Sequence, residues 1–174
     1  RICEADRFVR SGAWHTQLFP AATEVRGKTC GIVGMGRIGR EIAKRAAAFD
    51  MKIAWQGPRA KADVPYRYVE SLEQLARESD CLVVTCALTP QTRNLVNARI
   101  LDALGADGFL INIARGAIVD EDALIAALTE KCIAGAGLDV LAMNPTCLKP
   151  YSAWIKWCSR RTWAPPHAKC AKNA

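Results

Sequence analysis

Three closely spaced glycines constrain the fold of this chain more than any other feature. Gly34, Gly36 and Gly39 directly follow the short apolar run 29–33, which predicts a buried β-strand. A segment with helical periodicity comes directly after them. The side chains predicted to share one face of that helix are Ile38, Ile42, Ala46 and Phe49. A strand, a glycine-rich turn and a helix in this order predict the first unit of a parallel α/β sheet.

Strand and helix signals alternate through the rest of the first 140 residues. Ser71, Asn97 and Asp120 stand where they can cap three further helices, and Asp50 suits the left-handed end of the first helix. Further strands are predicted at 52–55, 81–85, 108–113 and 133–138. This alternation predicts an α/β fold of the Rossmann type, a doubly wound parallel sheet covered on both faces.

The chain is long enough for one globular unit, and 51% of its residues are hydrophobic. It contains no run of about 18 apolar residues, and its first residues do not resemble a signal peptide. We therefore expect a cytoplasmic protein without a membrane segment, in which the eight cysteines are reduced.

The net charge of +7 is concentrated in the last 34 residues. Six cations and no acidic residue lie between 141 and 174, so the preceding part of the chain is nearly neutral. The same segment holds three of the five tryptophans and three of the eight cysteines, but no short Cys-x-x-Cys spacing. We therefore expect neither nucleic acid nor a metal ion as a ligand.

The glycine spacing also predicts a ligand. In a G-x-G-x-x-G turn between a strand and a helix, backbone N–H groups face the pyrophosphate of a dinucleotide. NAD sites of this kind place an acidic residue about 20 positions further on, at the end of the second strand. Here Gln56 and Gly57 end that strand, and the cations Arg59 and Lys61 follow. Both cations can pair with a 2′-phosphate, which favours NADP over NAD, but they can equally be solvated loop residues.

Three motifs together resemble the D-2-hydroxyacid dehydrogenase family. They are Gly34-Met35-Gly36-Arg37-Ile38-Gly39, Asn112-Ile113-Ala114-Arg115-Gly116 with Val119-Asp120, and Ala136-Gly137-Leu138-Asp139-Val140. The resemblance covers about residues 1–140, and the sequences of the motifs are most similar to those of the glyoxylate/hydroxypyruvate reductases. It implies a Rossmann domain at 27–140, inserted into a smaller substrate domain whose junction remains at 1–26. It also implies a homodimer that interconverts 2-oxo acids and D-2-hydroxyacids with NAD(P).

The resemblance also implies functions for single residues. Arg115 is expected to bind the substrate carboxylate and to polarise the ketone, for which a guanidinium offers a suitable fork of donors. The residues expected at the coenzyme are Gly34, Met35, Gly36, Arg37, Ile38 and Gly39 at the pyrophosphate, Cys86 and Thr92 near the adenine and ribose, and Ile113, Ala114 and Asp139 at the nicotinamide. Two structural alternatives remain open. Arg115 can instead cap a helix or form an ion pair, and Asp139 can instead bond to the amides of its own loop.

The family completes its site with a histidine proton donor that a glutamate supports, and neither residue stands at the expected place. Those places hold Asn144 and Thr162. His167 follows two prolines but is displaced by five residues and has no glutamate partner, so we interpret it as noncatalytic.

A shifted reading frame restores the missing pair. Codons compatible with 142–174 then encode a glutamate across Met143 and Asn144 and a histidine across Arg161 and Thr162. We hypothesise a frameshift near residue 141, which makes 141–174 an out-of-frame and poorly ordered tail.

The chain as printed is therefore expected to bind coenzyme and to show little turnover. The alternative is a noncatalytic dinucleotide-binding or corepressor-like interaction module, in which coenzyme occupancy controls association with a partner. Parallel assays of NADPH binding and of glyoxylate-dependent NADPH oxidation separate these two functions.

Overall fold

The computed structural model of this chain describes residues 2–141, so His167 and the hypotheses on 142–174 lie outside the described residues. The strands are β1 (Thr29–Val33), β2 (Lys52–Gln56), β3 (Arg67–Tyr68), β4 (Cys81–Val84), β5 (Phe109–Asn112) and β6 (Gly135–Leu138). The helices are α1 (Ile2–Arg10), α2 (Arg37–Ala47), α3 (Leu72–Arg77), α4 (Ala98–Leu104) and α5 (Glu121–Thr129), with short 3-10 turns at Ala13–His15 and Gly116–Ile118.

The six strands form one parallel sheet in the order β3-β2-β1-β4-β5-β6. The chain runs outward from β1 through β2 to β3. It then crosses to the other side of β1, where β4, β5 and β6 follow in order. This confirms the predicted doubly wound α/β sheet. The direction of winding reverses between β1 and β4, and in such sheets the carboxyl ends at the reversal form the ligand crevice.

Two apolar clusters hold the layers together, one on each face of the sheet. On one face Leu82 and Leu110 pack with side chains of α3, α4 and α5, among them the fully buried Leu101. On the other face Trp55 packs beneath α2 against Ala43. Successive strand residues therefore alternate between two cores, and the central strands β1 and β4 are apolar except at Thr29, as is typical of a parallel sheet.

Helix α2 turns only part of the predicted face to the sheet, because Ala46 is buried and Ile42 packs against the core whereas the other two residues do not. Gly39, Ala43 and Ala46 are its buried residues, whereas Ile38 is 58% and Phe49 is 67% exposed. The prediction is therefore wrong for Ile38 and Phe49. The physical reason is the close approach of the helix to the strands, which leaves room only for small side chains at the contact.

Local signals in the sequence placed most elements correctly. Ser71, Asn97 and Asp120 each accept a hydrogen bond from the backbone N–H three residues further on, as predicted for helix caps. Asp50 has a φ of 58°, the left-handed conformation predicted for it. The two-residue strand β3 was not predicted, because a segment this short carries no periodicity.

The lead-in to β1 forms α1 and a 3-10 turn, with the rings of Phe8 and Phe19 packed at 5.2 Å. Trp14 and Leu18 are exposed to 56% and 94%. Within residues 2–141, no helix has both the length and the apolar character that a membrane crossing demands. The same residues contain no cluster of three potential metal-ligating side chains.

Candidate coenzyme site

The glycine-rich turn between β1 and α2 is closely packed at two of its glycines and open at the third. Gly34 has a φ of 97°, and a Cβ added there would lie 2.7 Å from the Cα of Cys86. A Cβ on Gly39 would lie 2.4 Å from the carbonyl oxygen of Gly34. A Cβ on Gly36 would meet no heavy atom within 4 Å. Two glycines therefore allow the turn to pack, and Gly36 leaves an open backbone surface that a ligand can approach.

Helix α2 presents its N-terminus at this open surface. Its N-cap residue is Gly36, and no side chain forms a capping hydrogen bond there. The first turn carries no acidic residue. The first backbone N–H groups of an α-helix have no partner inside the helix, and its dipole favours an anion at this end. The eleven-residue helix therefore offers donors to a diphosphate, as the motif predicts.

Thr85 fastens the turn to the neighbouring strand. Its hydroxyl, directly after β4, donates to the carbonyl oxygens of Val33, at 3.2 Å, and of Gly34. Thr85 is not among the residues predicted for the site. The available signal was a polar residue that ends an apolar strand next to the reversal point of the sheet.

A groove of about 610 Å³ opens beside the turn and connects it with the end of β5. Gly36, Arg37 and Ile38 line it on one side, and Thr85 and Ile113 lie at its other boundary. The fold therefore brings the predicted pyrophosphate residues and one predicted nicotinamide neighbour to a common opening.

The end of β2 carries no carboxylate in position for a ribose. Gln56 ends the strand, and the carbonyl of Gly57 accepts a hydrogen bond from the Tyr68 hydroxyl at 3.0 Å. The next acidic residue, Asp63, binds the guanidinium of Arg40 at 2.8 Å. The first carboxylate after the strand is thus already paired with a cation.

Arg59 and Lys61, which the sequence analysis grouped together, have different surroundings. Lys61 Nζ donates to the carbonyl oxygen of Met35, inside the glycine-rich turn, at 2.8 Å. Arg59 is exposed and forms no ion pair within the described part of the chain.

Asn112 connects the segments at the ends of β5 and β6. Its side chain is buried, with 1% exposure; Oδ1 accepts from the N–H of Ala114 at 3.0 Å and Nδ2 donates to the carbonyl of Arg115 at 3.1 Å. Its own carbonyl accepts from the N–H of Asp139 at 3.0 Å. One buried amide group thus fixes the turn of Ile113, Ala114 and Arg115, and the main chain ties that turn to Asp139.

Arg115 and Asp139 are both exposed at this edge of the sheet. The Arg115 guanidinium donates to the carbonyl of Ala114 at 2.7 Å and forms no ion pair among residues 2–141. For Asp139, the hydrogen bonds of the described residues include none from its loop amides to its carboxylate. Arg115 stands at the N-cap of the 3-10 turn Gly116–Ile118, but its side chain forms no capping hydrogen bond there. Neither that side-chain cap, nor an ion pair of Arg115, nor a bond from the Asp139 loop amides to its carboxylate is therefore seen in the described residues.

The two residues predicted near the adenine and ribose have different structural contacts. Cys86 stands against Gly34, and burial raises the pKa of its thiol, which therefore remains protonated at neutral pH. The Thr92 hydroxyl accepts from the N–H of Thr89 and donates to the carbonyl of Ala87, both at 2.7 Å. Those bonds shape the turn that contains Thr92, and contact of either residue with the coenzyme stays a prediction.

Comparison with known proteins assigns this arrangement to a family. The family of D-isomer specific 2-hydroxyacid dehydrogenases, NAD binding domain, matches residues 1–168. A glyoxylate/hydroxypyruvate reductase A of Arabidopsis thaliana is 52% identical over 145 residues, which are 83% of this chain and 46% of that protein. A 2-ketogluconate reductase of Gluconobacter oxydans is 44% identical over 144 residues, again 83% and 46% of the two chains. The chain thus spans about half the length of the curated relatives it matches.

Solved structures agree in fold and in sequence. A 2-hydroxyacid dehydrogenase from Ketogulonicigenium vulgare superposes with a TM-score of 0.79 at 42% identity, over 83% of this chain and 46% of that one. An NADPH-dependent glyoxylate/hydroxypyruvate reductase from Sinorhizobium meliloti, in complex with NADP and malonate, gives 0.78 at 40% identity with the same coverage. The proteins named here are all enzymes and give no support to the noncatalytic alternative. The chain belongs to the D-isomer specific 2-hydroxyacid dehydrogenases and carries their NAD-binding domain.

Proposed function

We propose that this chain is the coenzyme-binding half of a reductase that converts 2-oxo acids such as glyoxylate or hydroxypyruvate to D-2-hydroxyacids with NADPH. The observation that carries the proposal is the turn at Gly36, open on its ligand side and placed at an uncapped helix N-terminus. The same edge of the sheet bears Arg115, a cation of the kind that a 2-oxo acid requires.

The described residues have separate roles in this reaction. The backbone N–H groups around Gly36 would hold the diphosphate, Ile113 and Ala114 would flank the nicotinamide, and Asp139 would bind its amide. The reduced nicotinamide, when bound, supplies the hydride for the carbonyl carbon of the substrate. Arg115 turns from the Ala114 carbonyl to grip the substrate carboxylate and to draw electron density towards the ketone oxygen.

The preference for NADP rests on the charges after β2. No carboxylate stands at Gln56 to accept the ribose hydroxyls, and Asp63 is paired with Arg40. Arg59 is exposed two residues beyond the anchored Gly57 and can bind a 2′-phosphate through its guanidinium. The structural relative from Sinorhizobium meliloti, which is NADPH-dependent, supports this choice.

The proton donor of the reaction is proposed to lie in the shifted frame. Reduction of a ketone requires a general acid, and the printed sequence holds Asn144 and Thr162 where the family has its pair. The shifted frame supplies the glutamate and the histidine at those positions, which supports a frameshift near residue 141. Resequencing the coding DNA on both strands should reveal one missing or extra base. An intact frame would contradict this proposal.

We also propose that the whole protein is a cytoplasmic homodimer, with residues 1–26 as its junction with the substrate domain. The support for an interface at this segment is the exposure of Trp14 and Leu18, two large apolar side chains outside the sheet domain. Light scattering should give twice the mass of one chain, and Trp14→Ser with Leu18→Ser should shift the mass towards the monomer.

Calorimetric titration of the 174-residue chain tests the coenzyme site directly. NADPH should bind at least about tenfold more tightly than NADH, and Arg59→Met should remove most of that difference, which is ~1.4 kcal/mol or more. Lys44→Met is the matched control, because it removes an exposed cation on α2 and leaves the loop after β2 unchanged. A folded sample that binds neither coenzyme refutes the proposed function.

Oxamate, an unreactive 2-oxo acid analogue, tests the substrate side. It should bind the chain only in the presence of coenzyme, and Arg115→Met should abolish that binding while the Kd for NADPH stays unchanged. Equal oxamate binding by the variant and the unaltered chain would show that Arg115 does not bind the substrate.

A further inference from the structure

The loop after β2 is anchored to the body of the domain at both of its ends. At its start, the Tyr68 hydroxyl holds the carbonyl of Gly57. At its end, Val64 is 8% exposed and packs in the apolar cluster beneath α2, and Asp63 pairs with Arg40 of that helix. These contacts at both ends restrict the conformations that the intervening residues, 58–62, can adopt.

Lys61 crosses from this loop to the glycine-rich turn. Its Nζ donates to the carbonyl oxygen of Met35 at 2.8 Å, and the pair is partly buried. Met35 lies between Gly34 and Gly36, and its side chain is 2% exposed in the cluster beneath α2. The turn is thus held from below by a buried side chain and from the loop by a charge-assisted hydrogen bond.

We propose that Lys61 is a positioning residue of the glycine-rich turn: its bond to the Met35 carbonyl fixes the turn in the shape that receives the diphosphate common to NAD and NADP, and it does not read the 2′-phosphate. This inference rests on the proposed function. It divides the two cations after β2 into Arg59, which sets coenzyme preference, and Lys61, which supports affinity for both coenzymes.

The contacts favour this division over a shared 2′-phosphate site. Both side chains are exposed and neither forms an ion pair in the described residues, but one donor of the Lys61 ammonium is occupied by a backbone oxygen of the turn itself. The diphosphate is the part of the coenzyme that meets this turn. A change in the turn must therefore affect NADH and NADPH alike.

The test measures the Kd of the full chain for NADH and for NADPH with Lys61→Met, Lys61→Arg and the control Lys44→Met. Lys61→Met should raise both dissociation constants by a common factor of about ten. Lys61→Arg, which keeps a charged donor, should recover part of the loss, and Lys44→Met should change neither constant. The common factor should persist in about 0.5 M salt, because a hydrogen bond is screened less than a distant charge.

The outcomes that would overturn the inference are equally defined. Weaker binding of NADPH alone would show that Lys61 reads the 2′-phosphate, and unchanged binding of both would show that the bond does not matter. If the increase in both dissociation constants disappears at high salt, Lys61 acts only through long-range attraction between its charge and the coenzyme. If the unaltered chain binds neither coenzyme, the proposed function fails, and hydrogen exchange decides on Lys61. Faster exchange in Lys61→Met at the hydrogen-bonded amides of Gly34 and Arg40, on either side of the turn, supports its role there, and unchanged exchange overturns it.

Discussion

The three glycines of the coenzyme turn have different physical justifications. Gly34 requires a positive φ and the space of a missing Cβ, and Gly39 lets α2 approach the turn. Gly36 has neither restriction, since its φ of −86° is open to any residue and its surroundings are empty. Nothing within the fold therefore requires a glycine at this position, and we attribute the missing side chain to the proposed diphosphate site.

Gly36→Val should consequently leave the fold intact and weaken coenzyme binding. The valine side chain projects into the space that the diphosphate needs, so the Kd for NADPH should rise at least about tenfold, or ~1.4 kcal/mol. Loss of stability should stay within about 1 kcal/mol, as for other N-cap substitutions. Urea unfolding and calorimetric titration measure the two effects. Gly39→Ala provides the contrast, with a stability loss of about 1–3 kcal/mol from crowding against Gly34.

The Asn112 side chain stabilises the turn after β5 by pairing two buried backbone groups, which would otherwise lack hydrogen-bond partners. Asn112→Ala removes the partners of the Ala114 N–H and the Arg115 carbonyl, and should destabilise the domain by about 1–3 kcal/mol. Urea unfolding measures the loss. Hydrogen exchange should accelerate at Ala114 more than at amides of the sheet, and exchange that rises uniformly would contradict the local role.

At the scale of elements, a carboxylate fastens the opposite end of the sheet. Asp80, directly before β4, accepts hydrogen bonds from the Thr29 N–H at 2.8 Å and from Lys28 Nζ at 2.9 Å. Burial opposes its ionisation, but these bonds and the nearby cations outweigh burial and lower the pKa of Asp80.

This lowered pKa predicts a dependence of stability on pH. A carboxyl whose pKa is lower in the folded than in the unfolded state stabilises the fold above its unfolded value of about 3.9, and that stability is lost as the pH falls through the folded pKa. Unfolding free energy measured from pH 6 downward should therefore decline less steeply for Asp80→Asn than for the unaltered chain. Parallel curves would show that Asp80 contributes nothing to the acid response.

Element positions were predictable wherever local chemistry decides them. The caps at Ser71, Asn97 and Asp120 depend on one side chain and its neighbouring N–H, so the sequence was sufficient. The buried face of α2 was not predictable from apolar periodicity, because the distance between helix and sheet selects small residues such as Ala43. That distance is a property of the packed layers.

At the scale of the whole molecule, the sheet separates two apolar cores. The central strands β1 and β4 contribute side chains to both of them. Leu82, in β4, is fully buried against the three helices of one face. Leu82→Ala should reduce the unfolding free energy by about 3 kcal/mol, through lost burial and a residual cavity. Thermal and urea unfolding measure this loss. Leu88→Ala, at a residue that is 38% exposed, should cost far less, and equal losses would contradict the assignment of the core.

The site could be predicted in its motifs but not in its connections. Gly36, Arg115 and Asp139 could be proposed as site residues because they stand in recognisable segments. The bonds of Thr85 and Lys61 to the glycine-rich turn could not be predicted, because their partners lie 51 and 26 residues away in the chain. Only the assembled sheet brings such partners together.

Every part of this site emerges from the same edge of the sheet, each on its own short loop. The loop after β2 carries Arg59, which we propose to bind the 2′-phosphate, and the loop after β5 carries Arg115, which we propose to bind the substrate. Mutations can therefore alter coenzyme choice without disturbing the grip on the acid, and the reverse. Such independence lets evolution, or an engineer, exchange one specificity at a time on an unchanged framework of strands.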